Sequence, residues 1–594
     1  MKPTNISDPN YFHKVVDCQW ACPAHTPVPE YIRLIAEKRY TDAYMINWQS
    51  NVFPGILGRT CDRPCEPACR RGRVEEEPVA ICRLKRVAAD FKSDITDRLP
   101  SIPKKKNGKH IALVGAGPAS LTVARDLLPL GYEITLFDRD KVSGGAMRTQ
   151  IPKFRLPVEV LEEELNYILD MGINCRFGEE ITSMKTLLQE DFDAIFVGTG
   201  APFGKQLDLP GREEAKDHIH TGIEWLANVA FEHVSSIGKR VLVLGGGNTA
   251  MDCCRTSKRI GGKEVTVVVR SGFDEMKASP WEIEDAKNED IPILNFHVPK
   301  RYILEKGKLV AMEFEKVRKE YDKNGRRLLI PTGEDPVILP CDDVLCAIGQ
   351  ENSFPWIEKE TGIEFDKWEL PILDKQTYQS THKKVFFGGD AALGPDNIIT
   401  AVAHAHEAAL SIRLLCDDQD ISVRPNPLTT LDSQKMGIHQ WSYDNDISND
   451  ERYIVPHAAK EKTLKDLNME VELGFDPELA FAETMRCLNC DIQTVFTDQL
   501  CIECDACVDI CPTDCITFTN NGEEDDLRQR LMAPAEDLDQ DIYVSDLLNT
   551  GRIMAKTEDL CLHCGLCAER CPTNAWDMRK YLFDTAKAVD ACQS

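Results

Sequence analysis

The sequence predicts a multidomain α/β protein. Two Rossmann-like dinucleotide-binding units are expected between a helical, cysteine-bearing domain and a carboxyl-terminal ferredoxin-like α+β domain. Three observations lead there. Lys109 to Asp140 and Val241 to Ser271 each read as strand, glycine turn, helix and strand. CIECDACVDICP and CLHCGLCAERCP, near the end, share the spacing C-x2-C-x2-C-x3-C-P. Six more cysteines lie within residues 1–100.

A chain of 594 residues has room for about four domains. Its 70 basic and 97 acidic side chains leave a net charge of −27, which argues against nucleic acid or an anionic membrane as partner. The plainer consequence of that acidity is solubility. No stretch reads as long enough for a membrane span, and Met1 to Asn10 is too polar for a secretory signal, so a cytoplasmic protein is expected. In a reducing compartment the 24 cysteines call for metal or redox ligation in place of disulfides.

In the amino-terminal region, Val28 to Ile46 carries apolar residues at helical spacing and Pro78 to Phe91 reads as another helix. Cys18, Cys22, Cys61, Cys65, Cys69 and Cys82 fall at the turns. The Cys22-Pro23 junction and spacings of four suit iron–sulfur ligation better than the paired knuckles of zinc, although a zinc-stapled helical domain is the alternative.

The first glycine unit follows a basic linker. In KHIALVGAGPASLTVARDLLPLGYEITLFDRD, Gly115 permits the turn and Gly117 lets backbone approach a pyrophosphate. The helix start at Pro118 offers free N–H groups, and Asp138 closes the second strand as a ribose acceptor. Ser120 stands where a third glycine is usual. In the second unit Gly245, Gly247, Asn248 and Thr249 form the phosphate turn, with the small Ala250 at the close-packing position. Here the second strand ends in Arg270, a cation suited to a 2′-phosphate, so NADP(H) is favoured and NAD remains possible. A solvated strand-end arginine is the alternative. Cys253 and Cys254 read as packing residues.

Several strings together resemble the glutamate synthase small-subunit family. They are GILGRTCDRPCEPACRRG, PVAICRLKR, GGAMRTQIPKFRLPVEVLEEEL (from Gly144) and VFFGGDAALGPDNIITAVAHAHEAA (from Val385). That family takes in the amino-terminal half of dihydropyrimidine dehydrogenase and the large subunit of NADH-dependent ferredoxin:NADP oxidoreductase. The resemblance covers the chain to about residue 415. It implies FAD at the first unit, with Gly144, Gly145 and Arg155 along the flavin nucleotide, and with Gly389, Asp390 and the helix start near Asn397 as the closing flavin motif. It also implies a further cation, Lys277, at the nicotinamide site, although Ser271 replaces a second one. His404 and His406 read as ordinary helix residues, because hydride transfer needs no protein acid or base. No catalytic side chain is therefore expected.

The resemblance further implies two amino-terminal [4Fe–4S] clusters. Two departures stand out: no C-x2-C pair precedes Cys18, and Cys82 occupies a position often held by Glu or Gln. Far along the chain, AETMRCLNC looks like the missing pair. We therefore expect Cys487 and Cys490 to join Cys18 and Cys69 in one cluster, leaving Cys22, Cys61, Cys65 and Cys82 for the other. A separate redox or zinc pair is the alternative.

The ferredoxin spacing sends the fourth cysteine of each run to the other cluster. Cys501, Cys504, Cys507 and Cys571 would hold one [4Fe–4S] cluster, and Cys561, Cys564, Cys567 and Cys511 the other. Cys515 is surplus, and the acidic stretch Asn520 to Thr550 reads as a solvated loop, with a partner-facing insertion as the alternative.

The expected domains are 1–100 (helical, two clusters), 108–200 with 340–415 (FAD-binding), and 201–339 (NAD(P)-binding), the two nucleotide domains being interleaved. Residues 416–492 form a linker bearing the returning cysteine pair, and 493–594 the ferredoxin-like domain. Such parts imply an oxidoreductase moving electrons between NAD(P)H, FAD and four [4Fe–4S] clusters. The expected partner is ferredoxin or a further subunit, such as a 2-oxoacid:acceptor oxidoreductase, in a hetero-oligomer. A glutamate synthase small subunit and a diaphorase subunit of a formate dehydrogenase or hydrogenase are alternatives. A non-catalytic electron-transfer scaffold is another, which the intact Gly245–Asn248 turn opposes.

Overall fold

The computed structural model describes residues 1–75, 77–433 and 448–589. Two parallel five-stranded sheets built on one plan form its centre. Across the first run Val385–Phe387, Ala194–Val197, His110–Val114, Glu133–Asp138 and Asn174–Phe177. Across the second run Ile219–Thr221, Asp343–Cys346, Arg240–Leu244, Glu264–Val268 and Ile293–Leu294. The central strands are unbroken apolar runs because helices cover both faces of such sheets. Helices Pro118–Leu127 and Ile398–Cys416 pack together over the first.

The chain leaves the first sheet at Phe203–Gly204 and returns at Gln350–Glu351. These two segments pair antiparallel, so both crossings lie side by side. Asp343–Cys346 was expected with the flavin segment 340–415, and this is corrected. It pairs with Arg240–Leu244, and the Ala347 carbonyl behind it closes on Gly245. The second unit also carries an antiparallel sheet in which the long strand Lys308–Tyr321 pairs with His297–Glu305, Arg327–Pro331 and Val337–Pro340.

Other expectations need correction too. Val28 to Ile46 is two helices, Val28–Ala36 and Tyr40–Asn51, because Lys38 takes a left-handed conformation at φ +59° and turns the chain back. The stretch 520–550 is more than a solvated loop. Helix Glu524–Arg530 and strand Ile542–Val544 bury Leu527, Ile542 and Val544, and that strand pairs with Arg552–Thr557. Within the linker, Val471 donates to the Phe154 carbonyl at 3.0 Å, touching the first unit. Leu428–Ser433 instead becomes a strand beside Trp576–Asp584, which also pairs with Ile492–Phe496; residues 434–447 lie outside the described residues. Finally, helix Ile398–Cys416 does have the length and apolarity of a membrane span, but 72% of it is buried as the core helix of the first unit.

The amino-terminal helices share two cores. Cys22, Cys61 and Cys82 pack with side chains of the first nucleotide unit. Cys18, Cys65 and Cys487 pack with Cys507, Cys561 and Cys567 of the ferredoxin-like end.

Candidate functional site

The two glycine turns divide their labour in the same way. Gly115 (φ +93°) and Gly245 (φ +139°) adopt conformations that side chains avoid. A Cβ on Gly115 would also meet the Gly198 carbonyl at 2.7 Å, and one on Gly245 would run into the Ala347 carbonyl. Gly117 and Gly247 have ordinary extended backbones. A Cβ on Gly117 would meet only the Gly198 carbonyl, at 3.8 Å, and one on Gly247 nothing within 4 Å. Neither is glycine for the protein's own sake. Each leaves a cradle at a helix N-terminus, at Pro118–Leu127 and Asn248–Arg259, where a phosphate fits. Thr249 is the second residue of the latter helix.

Around the first turn, Asp138 accepts from the Ala116 N–H at 2.5 Å and the Asp140 N–H at 2.8 Å. Burial raises its carboxyl, and each oxygen keeps a lone pair for a further donor. Gly144 (φ +117°) precedes Gly145, which packs against Gly117. Gly389 leads into Asp390, whose carboxyl is pushed up to about 6 by burial. Asn397 caps helix Ile398–Cys416 by accepting from the Thr400 N–H at 2.9 Å. Ser120 finds its explanation across the turn: its hydroxyl fills the space a Cβ on Gly198 would need, so the small residue has moved to the facing segment.

Arg155 is held by carboxylates of the second unit. Its guanidinium meets Asp252 at 2.8 Å and Glu282 at 2.6 Å, locking the first unit to the second. The second turn also meets the amino-terminal domain. Asn248 donates to Asp62 at 3.0 Å and accepts from the Ser279 N–H at 2.8 Å, while the Arg63 guanidinium lies 3.7 Å over the Trp281 ring. Asp62 and Arg63 fall between Cys61 and Cys65, and sequence reasoning gave them no role. Arg270 and Lys277 are exposed, and neither makes an ion pair among the described residues.

The cysteines gather in sets. Cys18, Cys69, Cys487 and Cys490 line one small cavity, which brings the returning pair to the amino terminus. Helix Pro477–Thr484, capped by Asp476, delivers it, and the buried Arg486–Glu483 pair at 2.9 Å fixes it, with Arg486 donating to the Glu77 and Pro78 carbonyls. Burial pushes the Cys487 thiol up to about 12 and raises Cys18 and Cys490 as well. Such thiols ionise only against a strong positive partner, as metal ligands do. Cys82 meets both Cys61 and Cys65, and with Cys22 all three lie within electrostatic reach of the Lys85 ammonium. Tyr31 is fully buried within electrostatic reach of both sets.

At the ferredoxin-like end, Cys511, Cys561, Cys564 and Cys567 line a small cavity together with Cys515, whose sulfur is 3.5 Å from that of Cys511. Cys501, Cys504, Cys507 and Cys571 form the outer group, and Cys504 is exposed. Among the described residues no three His, Cys, Asp or Glu side chains converge tightly enough for a single metal ion. Cysteines ringing cavities suit a polynuclear cluster instead.

The family described as pyridine nucleotide-disulphide oxidoreductase matches residues 109–408, both glycine units and the closing strand included. The chain belongs to that family. FAD and a nicotinamide dinucleotide are the cofactors of its nucleotide units. Two further families flank this pyridine nucleotide-disulphide oxidoreductase core: dihydropyrimidine dehydrogenase domain II, 4Fe-4S cluster, over residues 12–96, and 4Fe-4S dicluster domain over 500–575. [4Fe–4S] domains therefore stand at both ends.

Among relatives, the chain is 34% identical to the NADP(+)-dependent formate dehydrogenase subunit beta of Moorella thermoacetica, over 80% of this chain and 70% of that one. It is 30% identical to the NADPH-Fe(3+) oxidoreductase subunit beta of Geobacter sulfurreducens, over 82% and 77%. It is 33% identical to the glutamate synthase [NADPH] small chain of Escherichia coli, over 66% and 87%.

In this oxidoreductase the two ends are tied by a residue that sequence reasoning passed over. Arg70, fully buried beside Cys69, donates to the Cys561 and Glu558 carbonyls at 2.7 Å each and to Asp17 at 2.8 Å. Its only sequence signal was a basic doublet after a cysteine, which reads equally well as a solvated surface.

Proposed function

We propose that the chain is the NADP(H)-reactive subunit of a larger complex, moving electrons between NADP(H) and a partner through its ferredoxin-like end. Four [4Fe–4S] clusters would be held by Cys18, Cys69, Cys487 and Cys490; by Cys22, Cys61, Cys65 and Cys82; by Cys511, Cys561, Cys564 and Cys567; and by Cys501, Cys504, Cys507 and Cys571. The observation that carries this reading is the succession of cysteine sets. It begins in the core shared with the first nucleotide unit and ends at the exposed Cys504.

When bound, the nicotinamide exchanges hydride, the flavin converts between paired and single electrons, and the clusters carry single electrons. The protein supplies binding and insulation. The open positions at Gly117 and Gly247 admit the two pyrophosphates, with the helix starting at Asn397 aiming its positive end at the first unit's ligand. Asp138 and Asp390 remain as acceptors there, and Arg155, Asp252 and Glu282 hold the two units in one relation. Exposed Arg270 and Lys277 provide for a 2′-phosphate, in keeping with the NADP in the relatives' names.

The partner would dock at the outer cysteine set. There Ile502, two residues before the exposed Cys504, is itself 61% exposed and offers an apolar contact. A formate dehydrogenase catalytic subunit, an iron(III)-reducing subunit or a 2-oxoacid:acceptor oxidoreductase would each suit, as would free ferredoxin. Sixteen thiolate ligands fit a reducing cytoplasm.

The test is viologen reduction by purified protein loaded with FAD and iron. NADPH should support turnover at least about tenfold better than NADH, a difference of about 1.4 kcal/mol. Arg270→Ala with Lys277→Ala should erase that preference. No turnover with either nucleotide would overturn the enzyme reading, and equal rates would remove the 2′-phosphate argument.

A further inference from the structure

Helix Ile81–Asp90 carries three buried cations, and two of them are paired conventionally. Arg83 meets Glu472, and Arg86 meets Asp90 and Glu470 at 2.9 Å each. Lys85 is different. It is 4% exposed, its Nζ donates to the neutral Asn51 Oδ1 at 2.7 Å, and among the described residues it has no carboxylate partner. The helix turn places it three residues after Cys82, on the same face. Its ammonium lies within electrostatic reach of Cys82, Cys61, Cys22 and Cys65.

A buried ammonium without a counter-charge is strongly disfavoured. The four thiols beside Lys85 would supply that counter-charge once they hold an anionic group. Lys556 offers the contrast at the ferredoxin-like end. It lines the cavity of Cys511, Cys561, Cys564 and Cys567, yet Glu558 neutralises it at 2.8 Å.

Building on the cluster assignment above, we propose that Lys85 is the built-in counter-charge of the iron–sulfur group held by Cys22, Cys61, Cys65 and Cys82, and raises that group's reduction potential. One-electron reduction adds one negative charge to the site, and a fixed cation buried beside it favours the reduced form. This set, whose Cys22, Cys61 and Cys82 pack into the core of the first nucleotide unit, thus holds its electron more readily than it would without the lysine. Lys85 is a positioning residue for charge; it donates no atom to the reaction.

The experiment is a mediator-poised redox titration of the holoprotein, read by electron paramagnetic resonance, for wild type, Lys85→Gln and Lys85→Arg. Glutamine keeps a donor for Asn51 and removes the charge; arginine keeps the charge. The midpoint of one amino-terminal signal should shift negative in Lys85→Gln and stay near wild type in Lys85→Arg, with the ferredoxin-type signals unmoved. Loss of that cluster's iron in Lys85→Gln, with retention in Lys85→Arg, would equally support a counter-charge. An unchanged midpoint in Lys85→Gln with iron retained overturns the proposal and leaves the cluster assignment standing. Loss of the iron in both variants also overturns it, as a packing role would. If Cys61→Ser with Cys65→Ser leaves iron content unchanged, the assignment itself fails and the proposal falls with it.

Discussion

Arg70 donates from Nη1 to the main-chain carbonyl of Cys561 at 2.7 Å, across 491 residues of sequence. The same guanidinium holds Asp17, the residue before Cys18. One planar fork therefore fixes the amino-terminal cysteine loop against the first cysteine of the second ferredoxin run. A buried arginine serves here because its five donors can satisfy two carbonyls and a carboxylate at once.

Arg70→Met should destabilise this junction by about 2 to 3 kcal/mol, because it strands a half-buried carboxylate and two buried carbonyls. Limited proteolysis of the holoprotein checks this: fragments ending near residue 490 should appear faster than from wild type. Arg70→Lys should rescue little, since one ammonium cannot replace the fork. An unchanged proteolysis rate in Arg70→Met would mean that the ends are held elsewhere.

Gly117→Ala should fold with wild-type thermal stability yet purify without flavin, because the new methyl group meets no protein atom closer than 3.8 Å. Gly247→Ala should keep flavin and weaken NADPH binding at least about tenfold, or about 1.4 kcal/mol. Gly245→Ala should damage the fold itself, since its methyl group would collide with the Ala347 carbonyl. Absorbance and calorimetry separate the three outcomes. Full flavin content in Gly117→Ala would contradict the assignment of the first turn.

Stability should also fall in mild acid. His13 is buried, its Nε2 is 3.1 Å from Nδ1 of His25, and its ring stacks on Phe583 at 3.8 Å. Burial, with His25 second, brings its value down from 6.5 to about 3. A depressed folded value means the contribution is intact above pH 6.5 and is lost as pH falls toward 3, by about 1.4 kcal/mol per unit. Comparing denaturation midpoints of wild type and His13→Gln between pH 7.5 and 5.5 checks the sign: the variant should show the shallower fall. A wild type that gains stability on acidification relative to the variant would refute it.

The glycine turns and cysteine runs were legible because backbone conformation and ligand spacing leave few residue choices. Gly115, Gly245 and the C-x2-C-x2-C-x3-C-P runs are local signals of that kind, and even the return of Cys487 and Cys490 could be read from a displaced motif. Contacts between distant segments were not legible. Nothing near Arg155 announces Asp252, and Asp62 reads as a loop acid until Asn248 faces it. The break at Lys38 was missed because its two helices share one apolar rhythm. The strand Asp343–Cys346 was assigned to the wrong sheet because a buried parallel strand carries no mark of its neighbour. Lys85 was invisible for a related reason: among LKR neighbours a lysine looks solvated, and only burial without a carboxylate sets it apart.

The central claim is that a pair of cysteines from the far side of the nucleotide units completes an amino-terminal cluster. Iron and acid-labile sulfide analysis of Cys487→Ser with Cys490→Ser, alongside electron paramagnetic resonance of the reduced protein, tests it most directly. The account predicts loss of about four iron atoms per chain and of one amino-terminal signal, with flavin and both ferredoxin-type signals retained. Full iron content with every signal intact would contradict it.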